Sequence, residues 1–364
     1  MPESVRIPVS VPGGCYDVLV GRGLLDDAGM LLRLHTAAHR VVVVTDDRVA
    51  PIFARRVLDS LSAQGLDPVP VVVKAGEGSK NWQEAGRLVE MFSGAGLGRD
   101  GAVVALGGGV IGDLAGFAAS VYLRGVPVVH LPTTLLAQVD SAIGGKTGVD
   151  LPRGKNLAGT FWQPLLVIVD PECLRSLPAP EWSSGLGEVV KSALLDSEPS
   201  VGMLETDAHS LQARQPDAVD RAVLMAATLK AHVVSGDERE AADRECLNLG
   251  HTFAHALEHE LGYGTVTHGA AVAEGLRFAA RLAVRAGVAP GEWAERQVRL
   301  LDALGSAPIG ARCQASEMRE AMGADKKVRE GRVRFVLSTG PGSWETLVAD
   351  EGMLREELAA VCTG

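Results

Sequence analysis

A chain of 364 residues is longer than one hydrophobic core ordinarily serves, and its 46% hydrophobic and 22% charged content is that of a folded globular protein. The formal net charge of −10 argues against a nucleic-acid or anionic-membrane partner. Five scattered cysteines (Cys15, Cys173, Cys246, Cys313, Cys362), with no Cys-x-x-Cys, argue against a thiolate zinc site or a disulfide framework and fit a reducing cytoplasm.

Glu3 and Arg6 interrupt the start, so no signal peptide is expected. Val5–Val11 and Tyr16–Gly21 read as a strand pair. Arg40–Thr45 is a continuous apolar run, as a strand buried on both faces of a parallel sheet should be. Pro68–Lys74, Gly101–Leu106, Pro127–Leu131 and Leu165–Val169 are further such runs, with amphipathic helices at Ala50–Gln64, Lys80–Ala95 and Ile111–Tyr122. The apolar stretch Ala102–Val129 is broken by Asp113 and Arg124 and is no membrane span. Strands alternating with helices predict a doubly wound, Rossmann-like α/β domain with a parallel sheet.

After Asp170 helical periodicity takes over, at 181–197, 217–236, 246–261, 268–287 and 291–304. Pro178-Ala179-Pro180 marks the hinge to a mainly α-helical domain, giving domains 1–175 and 176–364. Arg332–Ser338 and Trp344–Val348 read as a late edge β-pair. A cleft between such domains is a favoured place for a ligand.

Gly107-Gly108-Gly109-Val110-Ile111-Gly112-Asp113 satisfies G-x-G-x-x-G, follows a strand and opens a helix. Glycines let backbone approach a pyrophosphate, and the helix N-terminus offers unpaired N–H groups. The acid of the ordinary dinucleotide fingerprint, ~20 positions on, is missing. Asp46, ending an earlier strand, is the best candidate, so the lineage differs from that of ordinary two-domain dehydrogenases. Gly144-Gly145-Lys146-Thr147 ends like a Walker A loop but lacks its first glycine, which disfavours a P-loop NTPase. A glycine-rich turn presenting Lys146, Lys155 and Asn156 suits a phosphate or carboxylate. Lys230, Arg244 and Lys326-Lys327 add cations, and together they point to a small polyanionic substrate.

His251 and His255 stand four apart in Asn248-Leu249-Gly250-His251-Thr252-Phe253-Ala254-His255, so both project from one helix face. His268 follows after a short glycine-containing turn, and Glu188 and Lys191 are spaced i, i+3. One carboxylate with two or three imidazoles is enough for a catalytic zinc with an open position.

These segments, with Pro132-Thr133-Thr134-Leu135-Leu136-Ala137-Gln138-Val139-Asp140-Ser141, Gly154-Lys155-Asn156 and His268-Gly269, occur in order across both halves. From about Tyr16 to about Leu337 the chain resembles the sugar phosphate cyclase family, of the 3-dehydroquinate synthase type. The resemblance implies a homodimeric, NAD- and Zn2+-dependent (or Co2+-dependent) lyase. It would convert a small phosphorylated sugar acid, 3-deoxy-D-arabino-heptulosonate 7-phosphate, to 3-dehydroquinate and phosphate. It also implies metal ligands Glu188, His251 and His268, with His255 a polar site residue rather than a ligand. Asp140, Lys146, Asn156, Lys191, Lys230, Arg244, Asn248 and Lys326 or Lys327 would surround the substrate, with Arg124 reaching phosphate, from a neighbouring subunit or its own. Asp46, Glu77, Lys80, Gly108, Gly109, Asp113, Thr133, Thr134, Lys155 and Glu181 match positions that hold NAD. Arg48, Ser192 and Ala270 depart from the family's usual residues and leave room for a specialised relative, such as an aminodehydroquinate synthase. A metal-dependent polyol dehydrogenase is the remoter alternative, since a neutral polyol needs no such cluster of cations.

Overall fold

The apolar runs of the first half form strands whose side chains alternate between two helical layers. The computed structural model describes residues 4–262, 264–309, 313–323 and 333–362. In chain order come β1 (Val5–Val11), β2 (Gly14–Val20), α1 (Ala28–His35), β3 (Arg40–Asp46), α2 (Arg55–Ala63), β4 (Asp67–Val73), α3 (Trp82–Gly94), β5 (Ala102–Gly107), α4 (Gly109–Val121) and β6 (Val128–Pro132). A hairpin, β7 (Lys146–Leu151) and β8 (Gly154–Phe161), and β9 (Leu166–Val169) follow. The sheet order is β1-β2-β9-β6-β5-β3-β4, antiparallel only between β1 and β2.

Period-2 alternation sorts this sheet's side chains. Val42, Val44, Val103 and Ala105 join a core with Leu88, Phe92, Ile111, Leu114 and Phe117 of α3 and α4. Val41, Val43, Val104 and Leu106 join another with Leu31, Leu32, Val57 and Leu61 of α1 and α2. With both faces covered, β3 and β5 have no polar side to show, which explains the unbroken apolar runs Val41–Val44 and Ala102–Leu106. Truncating a fully buried member such as Leu106 to alanine costs about 2–5 kcal/mol.

Contacts divide the chain into one unit of Met1–Leu177 with Lys230–Arg239 and another of Pro178–Leu229 with Glu240–Gly364. The remaining elements are α5 (Ala179–Asp196), α6 (Glu198–Gln212), α7 (Pro216–Gly236), α8 (His251–Leu261), α9 (His268–Arg285), α10 (Gly291–Ala303), α11 (Ala315–Gly323), the antiparallel pair β10 (Arg334–Gly340) and β11 (Ser343–Val348), and α12 (Glu351–Val361). In the second unit α9 is central, touching α5, α8, α10, α12 and β10. Its Phe278 stacks on Phe253 of α8 with ring centroids 4.6 Å apart.

Three features differ from the sequence reading. The stretch expected as one polar loop from Asp140 is a helical turn (Ala137–Ser141) followed by the β7–β8 hairpin. The segment expected as helix from 246 begins as a 3-10 turn, Asp243–Asn248, and α8 starts only at His251. Helices α1, α6, α11 and α12 were not anticipated. All five cysteines are free, but Cys313 and Cys362, 49 positions apart, bring their Sγ atoms to 2.9 Å.

Candidate active site

In the second unit, Pro180 near the N-terminus and Glu181 in the first turn suit the start of α5. From Ser184 to Leu195 its residues are buried, and Glu188 and Lys191 are each only 1% exposed. Charged groups are not buried this way without partners. The Lys191 ammonium lies directly on the Glu188 carboxylate, and two imidazoles approach the same carboxylate. Helix α9 passes so close to α5 that a Cβ on Gly187 would meet the Gly269 carbonyl oxygen at 2.5 Å. The Gly269 N–H donates to Ser184 Oγ at 3.0 Å. Because Glu188 follows Gly187 and His268 precedes Gly269, this crossing brings carboxylate and imidazole together. A second close approach sets His251. Gly250, in the left-handed conformation (φ 80°), caps α8, and a Cβ on Gly275 would lie 1.9 Å from its carbonyl oxygen.

Glu188 Oε1 stands 3.5 Å from Nε2 of both His251 and His268. One ligand atom from each of the three residues lies within 4.8 Å of the others. Donors about 2.1 Å from a tetrahedral zinc are about 3.4 Å apart, so the spacing and the donor types fit a divalent ion. A direct charge-assisted hydrogen bond would be shorter, about 2.7–2.9 Å. The outer nitrogens are engaged: His251 Nδ1 lies 3.2 Å from the Leu249 carbonyl oxygen, and His268 Nδ1 3.2 Å from Glu258 Oε2. Burial alone would lower the pKa of His268, but Glu188 and Glu258 outweigh it and raise it to about 9. The His255 ring lies beside both, its centroid 5.5 Å from that of His251 and 6.2 Å from that of His268. Arg244 is fully buried on the 3-10 turn, and Asn248 Nδ2 donates to Glu240 Oε1 at 2.5 Å.

In the first unit, β5 runs into α4 through Gly108, which caps the helix and packs against Thr134, where a Cβ would meet its Cγ2 at 2.9 Å. Gly109 opens the helix, and the Thr133 N–H donates to the Gly107 carbonyl oxygen. Nearby, Lys80 Nζ lies 2.5 Å from Asp113 Oδ2 and 4.0 Å from Glu77 Oε1, and Lys155 Nζ lies 3.9 Å from Glu77 Oε1. Burial raises the pKa of Glu77 and of Asp113 against the pull of these lysines. The Lys80 value also rises, because Asp113 and Glu77 outweigh its burial. A backbone cradle beside partly buried carboxylates provides what pyrophosphate and ribose hydroxyls ask for, so these residues fit a dinucleotide. Asp46 ends β3, its Oδ1 accepting from the N–H groups of Arg48 and Val49, both at 2.9 Å.

Asp140 and Lys230 also meet within the first unit, with Oδ1 and Nζ 2.5 Å apart. Lys146 begins β7, and Asn156, on β8, takes a positive φ of 55° while its N–H donates to Asp150 Oδ1. Arg124 (φ 68°) lies in a left-handed run between Leu123 and Gly125. Glu181 is exposed on α5, in the second unit. Lys326 and Lys327 lie outside the described residues. The sequence reading missed Glu258 and Ser184. Glu258 was visible in principle, at i+7 from His251 and i+3 from His255 on a helix of mixed polarity.

Comparisons with known proteins cover both units. Residues 70–184 match the family model for the 3-dehydroquinate synthase N-terminal region, and residues 185–328 that for its C-terminal region. The 3-dehydroquinate synthase of Pseudomonas entomophila (strain L48) is 42% identical over 349 residues, covering 95% of this chain and 94% of that protein. Among solved structures, a 2-epi-5-epi-valiolone synthase from Streptomyces hygroscopicus subsp. jinggangensis 5008, with NAD+ and Zn2+ bound, is 28% identical with a TM-score of 0.86, covering 95% of each chain. A 2-deoxy-scyllo-inosose synthase complexed with carbaglucose-6-phosphate, NAD+ and Co2+ shares the fold at 24% identity and a TM-score of 0.89, covering 98% of this chain and 99% of that one. Matches to both family models, and this identity along nearly the full length, agree with the ligand cluster and glycine loop: the chain belongs to the 3-dehydroquinate synthase family.

Proposed function

We propose that this chain is a 3-dehydroquinate synthase, a phosphate-eliminating carbon–oxygen lyase acting on 3-deoxy-D-arabino-heptulosonate 7-phosphate with catalytic NAD and a divalent metal. The observation that carries the reading is the convergence of Glu188, His251 and His268, within a chain so similar to proteins of that name. When bound, NAD supplies a hydride acceptor that is restored within one turnover, and the divalent ion supplies a Lewis acid for substrate oxygens.

Glu188, His251 and His268 would hold the ion, zinc or cobalt, since a carboxylate with two imidazoles accepts both. Gly108, Gly109, Thr133, Thr134, Asp46, Glu77, Lys80, Asp113, Lys155 and Glu181 are assigned to NAD. Lys146, Lys191, Lys230, Arg244, Asn156 and Arg124 carry the donors that bind the phosphate and carboxylate, with Lys326 and Lys327 as further candidates. Cations fixed around a phosphate stabilise the charge that builds on it as it departs. Asp140 holds the Lys230 ammonium in place, which is supported by their 2.5 Å contact. Asn248 and His255 orient the substrate hydroxyls beside the ligand cluster. Positioning is the chief contribution of all these groups.

We further propose a homodimer. Trp82, Val121, Leu123, Leu157 and Phe161 are large apolar side chains exposed on α3, α4, the turn Tyr122–Arg124 that follows α4, and the β7–β8 hairpin, and α4 packs against each of the others. Among the described residues no helix is long and apolar enough to cross a membrane. Five free cysteines support work in a reducing cytoplasm.

Incubation with the heptulosonate phosphate, NAD and zinc should release inorganic phosphate without net NADH. Accumulation of NADH with a simple polyol would favour the dehydrogenase alternative. Preferred turnover of an amino-substituted analogue would move the assignment to an aminodehydroquinate synthase.

A further inference from the structure

We infer that Glu258 is a positioning residue for the metal centre: its carboxylate fixes His268 in the orientation and tautomer that turn Nε2 toward Glu188. The inference rests on the reading that Glu188, His251 and His268 bind one divalent ion. Glu258 is 2% exposed although it is a carboxylate on the same helix as Phe253 and Leu257, which pack in the core. A carboxylate is among the costliest groups to bury, so a partner must be sought for it. One partner is plain: Oε2 lies 3.2 Å from His268 Nδ1, on the side of the ring opposite Glu188.

The geometry has two supports. Glu258 is seven residues after His251, two helical turns along one face of α8, so the helix that supplies one ligand also steers the other. The backbone approach of Gly250 to Gly275 holds α8 against α9, which fixes the distance from Glu258 to His268. The two imidazoles are treated unequally. His251 faces a carbonyl oxygen, that of Leu249, whereas His268 faces a carboxylate, which makes it the more basic donor.

The test uses full-length protein stripped of metal and titrated with Co2+, reading affinity against a chelator and the visible absorption of the bound ion. Glu258→Gln keeps the size and removes the charge, and Glu258→Ala removes the contact. The alanine variant should bind Co2+ about 10- to 100-fold more weakly, with shifted absorption bands, and the glutamine variant should fall between it and the wild type. Circular dichroism and thermal unfolding of the metal-free variants report whether each has folded. Should the alanine variant not fold, the glutamine variant decides alone. Wild-type affinity together with wild-type bands in a folded variant overturns the inference. If His251→Ala binds Co2+ as well as the wild type does, the metal reading itself is wrong, and the role of Glu258 falls with it.

Discussion

Gly269 crosses Ser184 so closely that a Cβ on the glycine would lie 1.7 Å from the serine carbonyl oxygen. No side chain can move aside to relieve that contact, because the obstructing atoms are backbone. Gly269→Ala should therefore push α9 away from α5, costing at least about 1–3 kcal/mol and weakening metal binding. Gly202→Ala on α6 meets nothing within 4 Å and should leave both properties intact or raise stability by about 0.4–1 kcal/mol. Thermal unfolding and zinc content of the two variants check this. Equal behaviour would show that the crossing does not govern the ligand cluster.

Chelation should abolish turnover, and either Zn2+ or Co2+ should restore it. Because only the folded chain presents the three ligands together, the ion should also stabilise it, by about 2.7 kcal/mol when free metal stands hundredfold above its dissociation constant. Unfolding curves with and without metal, repeated on His251→Ala, test this. The variant should lose most of the metal-dependent increment.

Lys230 and Asp140 form a pair that should behave as one unit in catalysis. Lys230→Met and Asp140→Asn should each lower kcat/KM for the phosphorylated substrate. The double variant should lose less than the sum, with a coupling energy of about 0.5–3 kcal/mol. Additive losses would refute the assignment of Asp140 to holding Lys230.

Acid should destabilise the first unit through His130, whose imidazole is buried in β6 and pushed by that burial from 6.5 down to about 4. The unfolded chain takes up its proton as pH falls below 6.5, whereas the folded chain resists until about 4. Stability is thus lost across that window, by at most about 3 kcal/mol from this group. Denaturant unfolding at pH 7 and pH 4.5 should show a smaller difference for His130→Asn than for the wild type.

Much of the sheet was legible because burial on both faces leaves a simple trace. Val41 to Val44 are all fully buried, and no polar residue interrupts them. The β7–β8 hairpin was not legible, since its pairing does not rest on an apolar stripe. Gly148 and Gly159 let the strands close, a Cβ on Gly159 meeting the Thr147 carbonyl oxygen at 2.2 Å, and the Thr147 and Thr160 hydroxyls meet at 2.9 Å. Those are cross-strand facts with no signature along one strand. Of the site, the types and order of the ligands were readable. The i, i+4 histidine spacing left open whether His255 joins them, and the positions of Glu188 and His268 against His251 depend on helix crossings set by glycines that sequence periodicity passes over. Glu258 was missed for a related reason: a carboxylate at the end of a histidine-rich helix looks solvated until its imidazole partner from another helix is in place.

Gly187, Gly250, Gly269 and Gly275 have a practical consequence for engineering. The atoms proposed to grip the ion are set by main chain against main chain, so a library aimed at new substrates should keep these four codons fixed. Diversity belongs instead at side chains such as Ser192 and Ala270, which neighbour the ligands in sequence without forming those backbone contacts.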